Sequence, residues 1–311
     1  MRRDRIANGA AAAITLALLA GLAIPELPKQ EKSLPDYCWG DLSGAKAPVA
    51  LFENEPGPNR MERLRGRLID CGWDPATVFV EEIQLPSPLT GACIGDIAED
   101  VRDRIDQIRA ATGADRVDAV GYSLQAMTLR YDLAVLGGTA NVRRVVLWGS
   151  PNNGSDKIAE SPLCYFNQLA KSHPFIPCLN GETPNAPDCD NPYTTATPQG
   201  ITQADPADAG TLYVNYYSDE DLLIMPGEGV LLDRAYNIEV PLVPHGQYPD
   251  DEGVLNSTIA ALTGVIVEPP KNDPSAFCGA LSAGGSAGAG AFVLLSFTVL
   301  GIAAFARSAR P

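Results

Sequence analysis

Three residues of the types used in nucleophilic catalysis follow one another along the chain, as Ser123, Asp221 and His245. A serine hydroxyl attacks a carbonyl group only when a base removes its proton, and histidine is the commonest such base. A carboxylate that orients the histidine completes the set. The order serine, acid, histidine therefore predicts acyl transfer through a covalent intermediate, provided that the fold brings the three side chains together.

Ser123 lies between a pattern typical of a strand and a pattern typical of a helix. A short β-branched run, 117–120, precedes it, and residues 124–136 have a helical pattern. A serine on a sharp strand-to-helix turn presents its hydroxyl above the sheet, and the helix start behind it offers N–H groups to a developing negative charge. A serine that only caps a helix gives the same local pattern, so the acid and the base must decide between the two.

The acid and the base also follow predicted strands. Asp221 comes after a strand predicted over 213–217, and His245 comes after a strand predicted over 237–243. The other histidine, His173, lies in an irregular region and is interpreted as a loop residue. Because functional groups in parallel sheets gather at the carboxyl ends of the strands, the three candidates are expected at one edge.

Strand and helix patterns alternate through the first half of the chain, with strands predicted at 48–52, 77–80, 117–120 and 142–148. This alternation predicts an α/β fold, a mostly parallel sheet with helices on both faces. The rhythm breaks over 155–209, which is rich in proline and asparagine. A long irregular stretch inside a domain predicts a cap or lid over the site.

Charge and composition exclude several classes of function. The net charge is −15, which argues against a nucleic-acid partner, because phosphate binding needs clustered lysine and arginine. The chain has 2 histidines and no cysteine–histidine spacing typical of zinc, which excludes a histidine-rich metal site. No cofactor is expected.

The cysteines and the N-terminus together predict an exported protein. Residues 1–23 have a basic start and an apolar stretch, typical of a secretory signal peptide; a retained N-terminal anchor is the alternative. Cys278 stands apart, and the other cysteines form an even set whose pairing the sequence leaves open. That set comprises cysteines 38, 71, 93, 164, 178 and 189. Export favours disulfides among them.

The rest of the chain divides by composition. We assign 24–46 to an N-terminal arm, 47–266 to the folded domain and 267–286 to a linker. The uncharged run 287–306 is long enough to cross a bilayer, and 307–311 form a basic tail. Arginines after the run favour a cytoplasmic C-terminus, so the domain is expected at the cell surface or in the periplasm, anchored by a C-terminal helix or released from it.

From about 48 to 262 the chain resembles the secreted bacterial lipases and esterases of the α/β-hydrolase superfamily, near the small class 2 lipases. The matching segments are Leu68–Trp73 with its Gly72-Trp73, Val117–Tyr131 with its Arg130-Tyr131, Val145–Gly154, Tyr217–Pro226 and His245-Gly246. The resemblance implies that Ser123 is the nucleophile, that His245 is the general base, and that Asp221 rather than Asp219 is the acid. An ester or a lipid is the implied substrate.

The resemblance also places the oxyanion donors, the backbone N–H groups of Leu124 and Glu55. Two departures from the family pattern lie nearby. Gln125 replaces the last glycine of the Gly-x-Ser-x-Gly motif, so it is expected to point into a gap or loosen the turn, and its amide is a candidate extra donor. Where the first strand of the family ends in His-Gly and the donor residue follows, this chain has Phe52-Glu53-Asn54-Glu55, and the two carboxylates are expected to point away from an oxyanion.

The end of the chain resembles a second known element. Cys278, a spacer of small residues, the apolar run and the final arginines resemble the C-terminal sorting tails of some Gram-negative bacteria, of the myxobacterial type. In that family the cysteine marks a processing site, which implies that the tail is trimmed at Cys278. A plain membrane anchor is the alternative.

Two other functions share these residues. Acyl transfer to an alcohol uses the same nucleophile, base and oxyanion donors as ester hydrolysis. A non-catalytic surface protein, serving in binding on a hydrolase fold, is favoured by Glu53, Glu55 and Gln125 and opposed by the intact order of serine, acid and histidine.

Overall fold

The computed structural model describes residues 34–55, 60–86, 91–158, 161–183, 185–186, 189–190, 201–202, 210–224, 230–232 and 235–269. The expected signal peptide, the apolar run 287–306, the basic tail and Cys278 lie outside these residues. Within the described ranges, no helix is both long enough and apolar enough to cross a membrane.

Nine strands and six helices follow one another in the described part of the chain. The strands are β1 (Val49–Glu55), β2 (Val78–Gln84), β3 (Val117–Tyr122), β4 (Val142–Trp148), β5 (Asn185–Ala186), β6 (Cys189–Asp190), β7 (Ile201–Thr202), β8 (Thr211–Tyr217) and β9 (Tyr236–Glu239). The helices are α1 (Glu62–Asp70), α2 (Ile94–Thr112), α3 (Leu124–Ala134), α4 (Cys164–Asn167), α5 (Phe175–Leu179) and α6 (Glu252–Thr263). Short 3-10 helices lie at Pro75–Thr77, Gly138–Ala140 and His245–Asp250.

The main sheet has the strand order β2-β1-β3-β4-β8-β7, and β9 also pairs with β8. Each of these pairings is parallel. Strands β5 and β6 form a separate antiparallel hairpin within the predicted cap. The parallel sheet with crossover helices confirms the predicted α/β class, and the chain has the α/β-hydrolase fold.

Helices cover both faces of the sheet because successive strand residues point to opposite sides. In β1, Ala50 and Phe52 pack into the apolar core that α2 and α3 share with the sheet. Val49 and Leu51 pack into the core on the other face, under α1 and α6. All four side chains are fully buried, which explains why the central strands are almost continuously apolar.

Several strand boundaries differ from the sequence-based expectation, and β2, predicted at 77–80, runs on to Gln84. Strand β1 continues past Phe52 to Glu55, because its polar end stays in register with β2 as far as Gln84. Strand β9 ends at Glu239, well short of residue 243. Pro241 explains the early end, because proline has no N–H to donate to a strand ladder.

Three disulfides link the six cysteines of the described domain. Cys38–Cys71 joins the N-terminal arm to the end of α1, Cys93–Cys164 joins the start of α2 to α4, and Cys178–Cys189 closes the cap hairpin on α5. The sequence predicted disulfides without choosing their pairing. Bridges of this kind are typical of proteins that fold in an oxidising compartment outside the cytosol.

Candidate active site

Ser123 occupies a strained turn between β3 and α3. Its φ of 56° and ψ of −116° are unusual for a residue with a side chain, and such strain is typical of functional turns. Its N–H donates to the carbonyl of Trp148 at 2.9 Å, which anchors the turn on β4. Gly121 permits the turn, since a Cβ there would lie 2.8 Å from the carbonyl oxygen of Gln125.

The structure brings together the three residues that the sequence singled out. His245 Nε2 lies 2.9 Å from Ser123 Oγ, and His245 Nδ1 lies 2.8 Å from Asp221 Oδ2. When Nδ1 carries the proton, it donates a hydrogen bond to the carboxylate. Nε2 is then unprotonated and can accept the serine proton. Asp221 is 1% exposed, so its charge acts on the imidazole with little screening by water.

Asp221 is held by its own loop. Its Oδ1 accepts the N–H groups of Leu223 at 3.2 Å and Ile224 at 2.9 Å, which leaves Oδ2 for the histidine. The alternative acid, Asp219, is exposed. Ser218 Oγ accepts the N–H of Val243 at 3.0 Å and so ties the acid loop to the histidine loop.

A glycine lies against the acid–base pair. Gly149 follows β4 with a φ of 51°, and a Cβ there would lie 3.2 Å from both Asp221 Oδ2 and His245 Nδ1. Tyr248 completes this wall, and burial together with the nearby Asp221 carboxylate raises the pKa of its hydroxyl. Neither Gly149 nor Tyr248 was predicted from the sequence to be a site residue. One signal for Gly149 was its position at the carboxyl end of a predicted strand.

The two expected oxyanion donors lie at element ends beside the nucleophile. Leu124 is the first residue of α3, where helix N–H groups lack intrahelical partners. Glu55 is the last residue of β1, and pairing of Phe52 with Gly121 brings that strand end alongside the strand-to-helix turn at Ser123, here called the elbow. The loop that follows Glu55, 56–59, lies outside the described residues.

The Glu53 carboxylate interacts with the start of α1. Its Oε2 accepts the backbone N–H groups of Arg60 at 2.8 Å and Met61 at 3.2 Å. A carboxylate at a helix N-terminus is stabilised by such donors and by the helix dipole. Burial raises the pKa of Glu53, and these two hydrogen bonds oppose the rise. Glu53 therefore connects the end of β1 to the start of α1.

The sequence predicted that Gln125 points into a gap or loosens the turn, and the structure shows a different arrangement. Its side chain is 0% exposed; its Nε2 donates to Asn54 Oδ1 at 2.9 Å, and its Oε1 accepts from Thr128 Oγ1 at 2.7 Å. The amide group therefore neither points into a gap nor loosens the turn, because partners on β1 and α3 satisfy both of its ends. Strand and helix approach closely at Gly121, where a Cβ would lie 2.6 Å from the Leu129 side chain.

The described part of the cap is fixed to α3 by polar and aromatic contacts. Arg130 is buried and donates to the carbonyl of Asn152 at 3.2 Å and to Asn180 Oδ1 at 2.7 Å. Burial lowers the pKa of the Arg130 guanidinium to about 10. Tyr131 stacks on Phe175 of α5 with ring centroids 5.9 Å apart. These contacts explain the Arg-Tyr pair that follows the elbow.

The remaining histidine lies in the cap. His173 Nδ1 accepts the N–H of Phe175 at 3.2 Å, a local contact within the turn that precedes α5. No group of three or more histidine, cysteine, aspartate or glutamate side chains is arranged to hold a metal ion in the ranges that the structure describes.

No protein-family model matches the chain, and no curated protein matches it. Among solved structures, Aspergillus fumigatus lipase B is similar at 15% identity and a TM-score of 0.49, over 74% of this chain and 54% of that one. The mature Bacillus licheniformis lipase BlEst2 is similar at 14% identity and a TM-score of 0.47, over 73% of this chain and 91% of that one.

A structure of the metagenome-derived lipolytic enzymes LipS and LipT is similar at 12% identity and a TM-score of 0.46, over 70% of this chain and 95% of that one. The chain spans about half the length, 54%, of Aspergillus fumigatus lipase B. The fold assignment depends on this chain's own strand order, its helices on both faces and its strained elbow.

Proposed function

We propose that the protein is a serine hydrolase that cleaves carboxylic esters through a Ser123–His245–Asp221 triad. The observation that carries the proposal is the continuous set of contacts at the elbow, 2.9 Å from serine to imidazole and 2.8 Å from imidazole to carboxylate. Both distances lie within the range that proton transfer requires.

The reaction follows from the positions of these groups. Ser123 Oγ attacks the acyl carbonyl while His245 Nε2 takes its proton, and the Asp221 carboxylate stabilises the resulting imidazolium. The N–H groups of Leu124 and Glu55 hold the oxyanion. Collapse of the intermediate expels the alcohol, which receives the proton from His245, and water then releases the acyl group by the same steps.

The surroundings of the acid and the base support an apolar acyl group in the substrate. Leu222 and Leu223, directly after the acid, are 70% and 41% exposed, and Leu242, three residues before the base, is 54% exposed. Apolar side chains grouped beside catalytic loops offer a surface for an acyl chain or a lipid. We accordingly propose lipid or short-chain esters as the substrate class.

The setting of the enzyme is also a proposal. Three disulfides support export to an oxidising compartment. Anchoring by 287–306, processing at Cys278 and the limits of the cap at 155–209 remain predictions from the sequence.

The test is turnover of p-nitrophenyl esters of graded chain length, together with labelling by a fluorophosphonate probe, on the full-length chain. Ser123→Ala should abolish both signals. His245→Ala should lower both by about a thousandfold, because general-base catalysis is lost. His173→Ala is the matched control, since it removes the only other histidine, and it should retain wild-type rates.

Two results would contradict the proposal. A folded wild-type protein with neither turnover nor labelling at Ser123 would leave only the non-catalytic alternative. Wild-type rates in His245→Ala would support an esterase activity but refute the proposed triad.

A further inference from the structure

The position of His245 needs an explanation beyond its strand. Strand β9 ends at Glu239, so five residues without regular structure separate it from the histidine. Leu242 in that stretch has a φ of 64° and is 54% exposed. Pro244, directly before the histidine, has no N–H to donate. A general base must nevertheless stay within hydrogen-bond reach of its serine.

Tyr122, the residue directly before the nucleophile, contacts this loop. Its hydroxyl donates to the backbone carbonyl oxygen of His245 at 2.6 Å. The two rings also lie close, with centroids 5.3 Å apart. The backbone of Tyr122 is fixed in turn, because it pairs with Trp148 in the centre of the sheet.

Arg60 supports the same contact from the start of α1. Its guanidinium lies 5.9 Å from the centroid of the Tyr122 ring, and its Nη1 donates to the carbonyl oxygen of Gly246 at 3.3 Å. Two consecutive carbonyls of the histidine turn, those of His245 and Gly246, therefore accept from side chains outside the turn. Burial raises the pKa of Tyr122 to about 12, so its hydroxyl remains a donor at neutral pH.

We propose that Tyr122 is a positioning residue that holds the main chain of His245 at a fixed distance from Ser123. The inference rests on the proposed function, because the distance matters only if His245 is the base. Asp221 fixes the imidazole ring at Nδ1, whereas Tyr122 fixes the backbone that carries the ring. Tyr122 is covalently bonded to Ser123, so the same residue fixes the positions of the nucleophile and of the backbone of the base. Movement of the loop before His245 therefore does not change the distance between Ser123 Oγ and His245 Nε2.

The first measurement compares two conservative variants of the full-length chain. Tyr122→Phe removes the hydroxyl and keeps the ring; we expect kcat to fall about tenfold with little change in KM, because a small displacement of the base slows proton transfer. Tyr216→Phe is the matched control. It also removes a buried hydroxyl, which contacts Ser257 Oγ at 2.9 Å, and it should leave kcat unchanged.

The second measurement does not depend on activity. The chain has 2 histidines, so the imidazole N–H signals of a ¹⁵N-histidine-labelled sample come only from His173 and His245. In Tyr122→Phe, the Nδ1–H of His245 should exchange with water at least fivefold faster than in the wild type, because the ring leaves Asp221 more often. In Tyr216→Phe, exchange should match the wild type.

The outcomes separate the two proposals. Wild-type exchange at His245 in Tyr122→Phe, or an equal fall of kcat in both tyrosine variants, overturns the role of Tyr122. Faster exchange in a protein whose wild type shows no turnover supports the positioning role and rejects the ester hydrolase. If Tyr122→Phe does not fold, Arg60→Ala tests the same support, with a two- to threefold fall of kcat expected and an unchanged kcat overturning it.

Discussion

At the scale of single residues, Gly149 shows how little room surrounds Asp221 and His245. A methyl group on its Cα would lie 3.0 Å from a ring carbon of Tyr248 and 3.2 Å from each partner of the Asp221–His245 hydrogen bond. The backbone there, at a φ of 51°, also disfavours any residue with a Cβ. Gly149 is thus required both by its conformation and by its neighbours.

We expect Gly149→Ala to lower kcat at least a hundredfold, because a shift of the Asp221–His245 pair misplaces the base. Gly137→Ala separates the effect of the neighbours from the effect of the backbone, since Gly137 has a φ of 80° but nothing within 4 Å of its Cβ position. Both variants should lose about 1 kcal/mol of unfolding free energy from strain. Only Gly149→Ala should lose activity, and an active Gly149→Ala protein would show that the pair tolerates displacement.

At the scale of elements, a part-buried hydrogen bond between two side-chain amides joins the elbow helix α3 to β1. Gln125 Nε2 donates to Asn54 Oδ1 at 2.9 Å, and Asn54 immediately precedes Glu55, the proposed oxyanion donor. The contact therefore links the two elements that supply the proposed oxyanion N–H groups. A glycine at position 125 could not make this contact, so Gln125 has a structural role.

Gln125→Ala should lower kcat about tenfold, because the end of β1 loses its tie to the elbow. Asn54→Ala should have a similar effect, and the double variant should lose little more, as expected for two residues that act through one contact. Thr128→Val removes only the hydroxyl bonded to Gln125 Oε1, so kcat should stay near wild type while unfolding free energy falls by about 1 kcal/mol. Additive losses of kcat in steady-state assays of the double variant would refute the link.

At the scale of the whole molecule, one buried carboxyl makes folding stability depend on pH. Asp132 on α3 is 1% exposed, and neither of its oxygens has a hydrogen-bond partner among the described residues. Burial raises the pKa of Asp132 from 3.8 to about 7, with a further rise from Asp106 opposed by Arg102. Between pH 3.8 and about pH 7, the folded protein therefore keeps a proton on Asp132 that the unfolded chain has released.

The sign follows from that difference. Because the folded state holds more protons than the unfolded state from pH 3.8 to about pH 7, the contribution of Asp132 to stability falls as pH rises through that window. Asp132→Asn cannot ionise, so across this window its unfolding free energy should rise relative to that of the wild type by on the order of 4 kcal/mol. Urea denaturation at several pH values measures this, with exposed Asp156→Asn as the control. A constant difference between variant and wild type would refute it.

How much the sequence could predict also depends on scale. Ser123, Asp221 and His245 were predictable because each follows a strand pattern or lies at a strand–helix junction, and parallel strands bring their carboxyl ends together. The contacts of Tyr122 and Gln125 were not predictable, because they join side chains from elements that are distant in the sequence. The end of β9 was predictable from Pro241 and was missed because the apolar pattern continues past it.

The distribution of the disulfides divides the domain unequally. All three bridges fall between Cys38 and Cys189, and no cysteine lies from 190 to 277. The strand, elbow and helix of the nucleophile are thus enclosed by the Cys93–Cys164 bridge, whereas the acid, the base and α6 are held by packing and hydrogen bonds alone. Reduction of the three bridges should therefore loosen the first part directly and reach the second part only through the sheet and the apolar core that both share.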